Sequence, residues 1–402
     1  MPIVDLHDTF LFDLDGVLYR GDQPIPGAAE TVERLRAAGK GLAFVTNNSS
    51  RTPDQVAEKL AGMGIEATLD EIVTSAVATA ELLAREGGGR AFVIGEEGIR
   101  QALSRHDIEV VDDGAGPVEY VVVGWDRSAD YDKLKTAALL VQRGARLVAT
   151  NADASYPAPD GLWPGAGALL SAVTTTTGVP AEVVGKPHPP LFELARDRAG
   201  GGSAISIGDR LDTDVAGAER LGWDSLLVTT GVTHPANLVR SEALPTFLGR
   251  DVSALFRTGT RIRDADDGDR DAAAGILRRA GLEPGPAGEG RLETRSWIAG
   301  TEDGTPVGTV TLELAGESAH LRSIAVVDGR DGEGTGTMLV AHAIRYARRA
   351  GVREVVLATE TAERFFANLG FAREGTLEAL PEVFREHMTS CAETAVVMRL
   401  AT

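Results

Sequence analysis

An α/β protein of more than one domain is what this sequence predicts, and three observations predict it. Strand-like apolar runs alternate with helical segments along most of the chain, the rhythm of a parallel sheet. An Asp-x-Asp pair, Asp13-Leu14-Asp15, stands where one such run (Thr9-Phe10-Leu11-Phe12) meets the glycine turn at Gly16. Near Arg257 the pattern changes, and 402 residues are in any case too many for one ordinary domain.

Taken in order, the first strand is followed by a helical run from Ala28 to Ala38, stopped by Gly39. The apolar run Gly41 to Val45 reads as a strand ending at Thr46-Asn47-Asn48-Ser49-Ser50. A helix is expected from Pro53 to Met63, with Thr52 placed to cap it and Gly64 to end it. From about Thr74 the rhythm restarts: runs at 91–95, 121–125 and 147–150 alternate with helices as a second, smaller α/β unit. Runs at 204–208 and 225–229 return to the first style. The acidic stretch Asp264 to Asp269 then opens a helix of a different region. No fixed-period repeat is visible, and the tract Thr174 to Thr177 is too short to count as one.

Composition excludes several function classes. A net charge of −19 opposes a nucleic-acid partner, because phosphate backbones repel such a surface. The single cysteine, Cys391, rules out an internal disulfide framework and suits a reducing cytosol. No signal peptide and no membrane span is legible, so a cytoplasmic protein without a membrane partner is expected. An apolar share of 43% is ample for packed cores.

Four polar segments carry the candidate chemistry. Strand side chains repeat every two residues, so Asp13 and Asp15 leave the strand end in the same direction. Two anions so close favour a bound hard cation such as Mg²⁺, an ion often held together with a substrate phosphate. Two solvated turn carboxylates are the plainer reading of the pair. Thr46-Asn47-Asn48 ends a strand and presents a hydroxyl and backbone N–H groups, either to an anion or simply as a polar turn. Lys186, between Gly185 and Pro187, can neutralise a phosphoryl group or merely solvate a surface. Gly208-Asp209-Arg210-Leu211-Asp212-Thr213-Asp214 follows an apolar strand and opens a helix; Asp209 and Asp214 either complete a metal site or form a solvated helix start.

In this order, Asp13-x-Asp15-Gly16, Thr46-Asn47, Lys186 and Gly208-Asp209…Asp214 resemble the four motifs of the haloacid dehalogenase (HAD) superfamily. The resemblance covers about residues 8–256. The hundred or so residues between Thr46 and Lys186 are similar to the large α/β cap of its class IIA branch of small-molecule phosphatases. Thr74-Ser75-Ala76, Thr150-Asn151-Ala152-Asp153 and Pro164-Gly165 add to the likeness. It implies a doubly wound parallel-sheet core from residues 1–73 and 183–257 with an inserted cap at 74–182. It also implies roles: Asp13 as nucleophile, and Asp15 as general acid and then base. Mg²⁺ would be held by Asp13, the Asp15 carbonyl and Asp209, with Asp214 in support. Thr46, Asn47 and Lys186 would bind the phosphoryl group. The cap loop from Asn151 to Gly165 would meet the rest of the substrate. Asp153 there would suit the hydroxyls of a polyol, or else serves as a turn residue, while Tyr156 and Trp163 would read the substrate or pack the cap.

Residues 258–402 read as strand, helix, three strands, helix, strand, helix and closing strands. With Gly332-x-Gly334-x-Gly336 and Phe365-Phe366-Ala367-Asn368-Leu369-Gly370-Phe371, that order resembles the α+β fold of GNAT acetyltransferases. In that family glycine-spaced N–H groups hold the coenzyme A pyrophosphate. Asp331 stands where the family usually has Arg or Gln, with Arg330 one residue too early. Phe366 replaces the usual acid tyrosine, and Tyr346 lies elsewhere. These departures weigh against acetyl-CoA binding. The expected function is Mg²⁺-dependent hydrolysis of a small phosphorylated metabolite, glycerol 3-phosphate foremost, with phosphoglycolate, pyridoxal phosphate or a sugar phosphate as alternatives. A bifunctional phosphatase–acetyltransferase, and a tail that recruits a partner or stabilises a homo-oligomer, remain open.

Overall fold

The computed structural model describes residues 1–158, 160–284, 292–330, 333–385 and 395–402. Asp331, Gly332 and Cys391 therefore lie outside the described residues. The chain packs as two compact units: residues 7–208 with 212–225, and residues 226–402 with 1–6 and 209–211.

In the first unit the strand Thr9–Phe12 is buried on both faces, as its unbroken apolar run requires of a parallel-sheet strand. It pairs in parallel with Gly41–Thr46 on one side and Ala204–Gly208 on the other, and Ile72–Thr74 follows outside Gly41–Thr46. The chain thus moves outward in one direction, then returns to the opposite side of its first strand. That reversal makes a crevice at the carboxyl ends of Thr9–Phe12 and Ala204–Gly208, where open α/β sheets bind ligands. Helix Pro53–Ala61 begins with a full capping box between Thr52 and Gln55. Leu11, Val45, Val73, Leu83, Ile99 and Phe192 belong to one buried cluster.

Within the same unit a second parallel sheet runs Glu182–Val183, Arg146–Ala149, Tyr120–Val123, Arg90–Ile94, Glu109–Val111. Helices Glu97–Arg105, Tyr131–Gln142 and Ala166–Thr177 accompany it. The tract Thr174 to Thr177 closes the last of these, with the Thr176 and Thr177 hydroxyls donating back to the Ala172 and Val173 carbonyls at 2.7 and 2.9 Å. The stretch read from sequence as a loop holds an antiparallel hairpin, Ser155–Ala158 with Gly161–Pro164. A second hairpin, Tyr19–Arg20 with Gln23–Pro24, follows the Asp15 turn. Strands of two to four residues interrupted by proline show no legible alternation, which is why the sequence did not announce them.

In the second unit Leu226–Val228 pairs in parallel with Phe247–Gly249. A seven-stranded sheet has the order Thr260–Asp264, Glu293–Thr301, Pro306–Ala315, Ser318–Val326, Glu354–Thr359, Val396–Ala401, Ala372–Gly375. Its neighbours are antiparallel except for Ser318–Val326 beside Glu354–Thr359. Those two pair only through Ser318–His320 with Glu354–Val356. Beyond His320 they diverge, and a cavity of about 1740 Å³ opens against Ser323, Ala325, Ala358, Thr359 and residues 334–337. The acidic stretch does open a helix: Asp266 and Asp269 form a capping box ahead of Arg270–Arg279. Helix Thr335–Arg349 buries Met338, Leu339, Ile344 and Ala347. It also gathers residues 235–250 to this unit: Arg348 donates to the Arg240 and Ser241 carbonyls, and Leu248 fills the space in front of Gly334. Among the described residues no helix is long and apolar enough to cross a membrane.

Candidate active site

Asp13 follows Phe12 at the strand's carboxyl end, and its N–H donates to the Ile207 carbonyl at 2.8 Å. This ladder bond fixes the residue at the reversal point of the sheet. Lys186 is buried there, and its Nζ donates to Asp13 Oδ1 at 2.5 Å and Asp214 Oδ1 at 2.7 Å. Burial works against the ammonium, yet the two carboxylates outweigh it and hold Lys186 protonated above the ordinary lysine range. The ammonium can therefore neutralise charge at this point throughout the neutral range.

Two glycines make the approach possible. A Cβ on Gly208 would lie 2.2 Å from the Asp214 side chain, so only a glycine there lets that carboxylate enter. A Cβ on Gly185 would lie 2.3 Å from the Thr150 carbonyl and 2.7 Å from Asn47 Oδ1, which would push Lys186 off its track. Asp209 comes directly after strand residue Gly208; its Oδ2 accepts from Val232 N at 2.7 Å, and its carbonyl accepts from the Thr233 hydroxyl. Asp13, Asp209 and Asp214 each offer a carboxylate oxygen within 4.8 Å of the others. An all-oxygen donor set of three carboxylates suits a hard divalent cation.

Asp15 reaches solvent, but the burial of its surroundings raises its pKa, against the opposing charge of Lys59 and the Gly21 amide. A carboxyl with a raised pKa beside the Asp13 carboxylate is the pairing that separates an acid from a nucleophile. Thr46 ends its strand in the same crevice, its Oγ1 accepting from Asn48 N at 3.1 Å.

Asn47 is anchored through its side chain. Its amide donates to the Lys186 carbonyl at 3.0 Å and to Asp153 Oδ2 at 3.2 Å, and its Oδ1 accepts from Lys186 N at 2.7 Å. The side chain is thus engaged in holding the Lys186 segment, and Asn47 presents main-chain groups rather than its amide. The Asn47 carbonyl in turn accepts from Ser75 Oγ and Asn151 Nδ2 at 2.7 and 2.8 Å. Asn151 also fixes the cap loop, accepting from Asp153 N at 3.1 Å. Asp153 is therefore carried to the core by a built turn, with one carboxylate oxygen on Asn47.

Tyr156 stacks on Trp125 with ring centroids 4.3 Å apart. Trp163 donates its indole N–H to Asp160 at 2.8 Å. Trp163 is exposed. Two residues beside the site carried no sequence signal: Tyr19 and Lys59. Lys59 Nζ lies 3.9 Å from the centroid of the Tyr19 ring, a pairing across forty residues that spacing cannot show.

In the second unit, Phe366 is buried against Phe365 and Phe371 and carries no acidic group to the cavity. The Tyr346 hydroxyl bonds Arg295 and Glu293 at 3.0 and 3.3 Å. Arg330 donates to Thr260 Oγ1 at 2.9 Å and the Thr258 carbonyl at 3.3 Å, and its guanidinium also pairs with Glu333 of the glycine loop at 3.5 Å.

Comparison with known proteins agrees with this geometry. Residues 10–109 match the family model described as haloacid dehalogenase-like hydrolase, and 183–255 that described as HAD-hydrolase-like. Residues 276–371 match the acetyltransferase (GNAT) family. An acid sugar phosphatase of Staphylococcus saprophyticus is 38% identical over 257 residues, 62% of this chain and 97% of its own length. The 5'-nucleotidase YutF of Bacillus subtilis is 40% identical over 59% of this chain and 93% of its own. Among solved structures, glycerol phosphate phosphatase Rv1692 from Mycobacterium tuberculosis, in complex with magnesium, is 30% identical with a TM-score of 0.70. That match covers 92% of this chain and 98% of the other. With its relatives spanned almost end to end, and its four polar segments gathered at one sheet reversal, the chain belongs to the haloacid dehalogenase-like hydrolases, as a phosphatase that continues into a GNAT-family domain.

Proposed function

We propose that this phosphatase hydrolyses small phosphate monoesters through an aspartyl-phosphate at Asp13, with glycerol 3-phosphate as its foremost substrate. The observation that carries the mechanism is the ammonium of Lys186 held between Asp13 and Asp214 at the end of the sheet. An Asp13 carboxylate oxygen attacks phosphorus, and the bond from phosphorus to the alcohol oxygen breaks. Asp15, its pKa raised, donates the proton that the departing alkoxide needs. Asp15 then takes a proton from water, whose oxygen attacks phosphorus and releases phosphate and the free Asp13 carboxylate. Thr46, the Asn47 main chain and Lys186 orient and neutralise the phosphoryl oxygens, the positioning on which phosphoryl transfer depends.

Mg²⁺ fits the oxygen donors of Asp13 and Asp209, with the Asp15 carbonyl, and Asp214 supports the set. When bound it supplies charge stabilisation to the phosphoryl oxygens.

Two observations support a polyol phosphate. Asp153 sits on the cap loop within reach of the core, and a carboxylate there favours hydroxyls over an anionic group. The Mycobacterium tuberculosis structure named for glycerol phosphate also shares the C-terminal domain in its 92% coverage. Acid sugar phosphatase and 5'-nucleotidase relatives make sugar phosphates and nucleotides the competing substrates. Phosphate release over a panel of these esters, with and without Mg²⁺, tests the reading. Faster turnover of a sugar phosphate or nucleotide than of glycerol 3-phosphate would displace the substrate assignment. The single cysteine supports a cytoplasmic setting. We read the C-terminal domain as a module without acetyl transfer, on Phe366 and the engaged Tyr346; its cavity is what keeps a bifunctional enzyme as the second reading.

A further inference from the structure

The Asn47 carbonyl is held by two side chains that reach it from distant segments. Ser75 Oγ donates to it at 2.7 Å and Asn151 Nδ2 at 2.8 Å, across 28 and 104 positions of sequence. Both side chains belong to buried residues. Ser75 is fixed as the first residue of helix Ser75–Arg85, which Thr74 caps by accepting from Val77 N at 3.1 Å. Asn151 follows the strand Arg146–Ala149, and its Oδ1 accepts from Asp153 N at 3.1 Å. With a carbonyl on one side and an N–H on the other, the Asn151 amide has one orientation that satisfies both. The Asp153 carbonyl is tied down as well, accepting from Gly167 N at 2.9 Å.

A peptide plane carries that constraint into the crevice. The Asn47 carbonyl and the Asn48 N–H belong to one planar trans unit, so they point in opposite directions. With the carbonyl held by Ser75 and Asn151, the Asn48 N–H is aimed at Thr46 Oγ1, 3.1 Å away. That bond occupies an acceptor position of the Thr46 hydroxyl and leaves its proton to be donated, which suits a phosphoryl oxygen. We propose that Asn151, with Ser75 in support, is a positioning residue of this phosphatase. Through the Asn47–Asn48 peptide it aims the Thr46 hydroxyl at the phosphoryl group. Through Asp153 N it sets the carboxylate that reads the rest of the ester. The proposal rests on the phosphatase reading given above. One cap residue thereby governs phosphate binding and choice of alcohol through separate atoms, Nδ2 for the first and Oδ1 for the second.

The test uses the full chain with Mg²⁺ and two esters, 4-nitrophenyl phosphate and glycerol 3-phosphate, beside the variants Ser75→Ala, Asn151→Asp and Asn151→Ala. Ser75→Ala removes one of the two donors, and kcat/KM should fall about fivefold on both esters alike. Asn151→Asp keeps the acceptor for Asp153 N and loses the donor to the Asn47 carbonyl. Its kcat/KM should fall about tenfold or more on both esters, with their ratio unchanged and inhibition by inorganic phosphate weakened to match. Asn151→Ala loses both atoms and should add a further loss of about fivefold on glycerol 3-phosphate alone. Losses confined to kcat, with KM, phosphate inhibition and the ester ratio at wild-type values, would mean that Asn151 only holds the cap together, and the proposal would fall. An ester ratio that shifts as far in Asn151→Asp as in Asn151→Ala would overturn the division between the two atoms. Should Asn151→Ala fail to fold, the other two variants decide: wild-type kcat/KM in both would overturn the proposal. Failure of the wild type to release phosphate from any ester would sink the phosphatase reading instead. Calorimetric binding of inorganic phosphate would then decide for positioning if weaker in Asn151→Asp than in wild type, and against it if equal.

Discussion

Lys186 Nζ and Asp214 Oδ1 lie 2.7 Å apart, joining a residue that follows the cap to one beyond the last strand of the first unit's parallel sheet. The same ammonium holds Asp13, so three segments meet at one charge. Lys186→Met should lower kcat by about two to three orders of magnitude, since it removes preorganised positive charge from the phosphoryl site. It also leaves the buried Asp214 carboxylate and the partly buried Asp13 carboxylate without the ammonium between them. The thermal midpoint should therefore fall, and added Mg²⁺ should restore part of it. A midpoint indifferent to both changes would show that the carboxylates are not held together by charge.

Asp13→Asn keeps the shape of the side chain and removes the attacking charge. Turnover should fall by several orders of magnitude, as for other covalent nucleophiles. Retention of more than about a tenth of wild-type turnover would refute the aspartyl-phosphate.

Asp153→Ala separates two roles for the cap loop. If the carboxylate reads hydroxyls, kcat/KM for glycerol 3-phosphate should drop about tenfold or more while 4-nitrophenyl phosphate is spared. Equal losses on both esters would assign Asp153 to its hydrogen bond with Asn47, that is, to holding the loop.

His342 gives the second unit a pH dependence. Burial, helped by Arg345, depresses its pKa to about 4 from the ordinary 6.5. The unfolded chain then binds a proton that the folded chain refuses, so stability is whole above about pH 6.5 and declines toward pH 4. The loss should amount to about 1–3 kcal/mol at the acid end. Denaturant unfolding of the wild type and His342→Gln at several pH values checks this: the variant should lose the slope across that window.

A chain ending at Phe256 keeps every motif of the phosphatase but loses the packing partner of residues 235–250. Arg348 holds the Arg240 and Ser241 carbonyls, and Gly334 faces Leu248, so truncation uncovers the segment around Phe247 and Leu248. Lower solubility and a lower melting temperature are expected, with phosphate release still measurable below that temperature. In the intact chain, acetyl-CoA should leave the melting temperature unchanged; a concentration-dependent rise would promote the bifunctional reading.

Much of this was legible in the residues themselves. The alternation of apolar runs and helices is a local property, so sheet strands such as Thr9–Phe12 and Gly41–Thr46 could be read from periodicity alone. Asp13, Lys186 and Asp214 were nameable because a strand end, a Gly-Lys-Pro step and a helix opening each leave a mark on neighbouring positions. What those marks could not contain is who meets whom. The hydrogen bonds that commit the Asn47 amide to Lys186 and Asp153 join residues 139 and 106 positions apart. The Lys59–Tyr19 contact likewise exists only once helix and turn are packed. The short proline-broken hairpins and the attachment of residues 235–250 to the second unit were equally invisible. Local sequence encodes backbone preference and burial period; partnership among polar side chains is set by the sheet order and the cap insertion, and that only the tertiary structure decides.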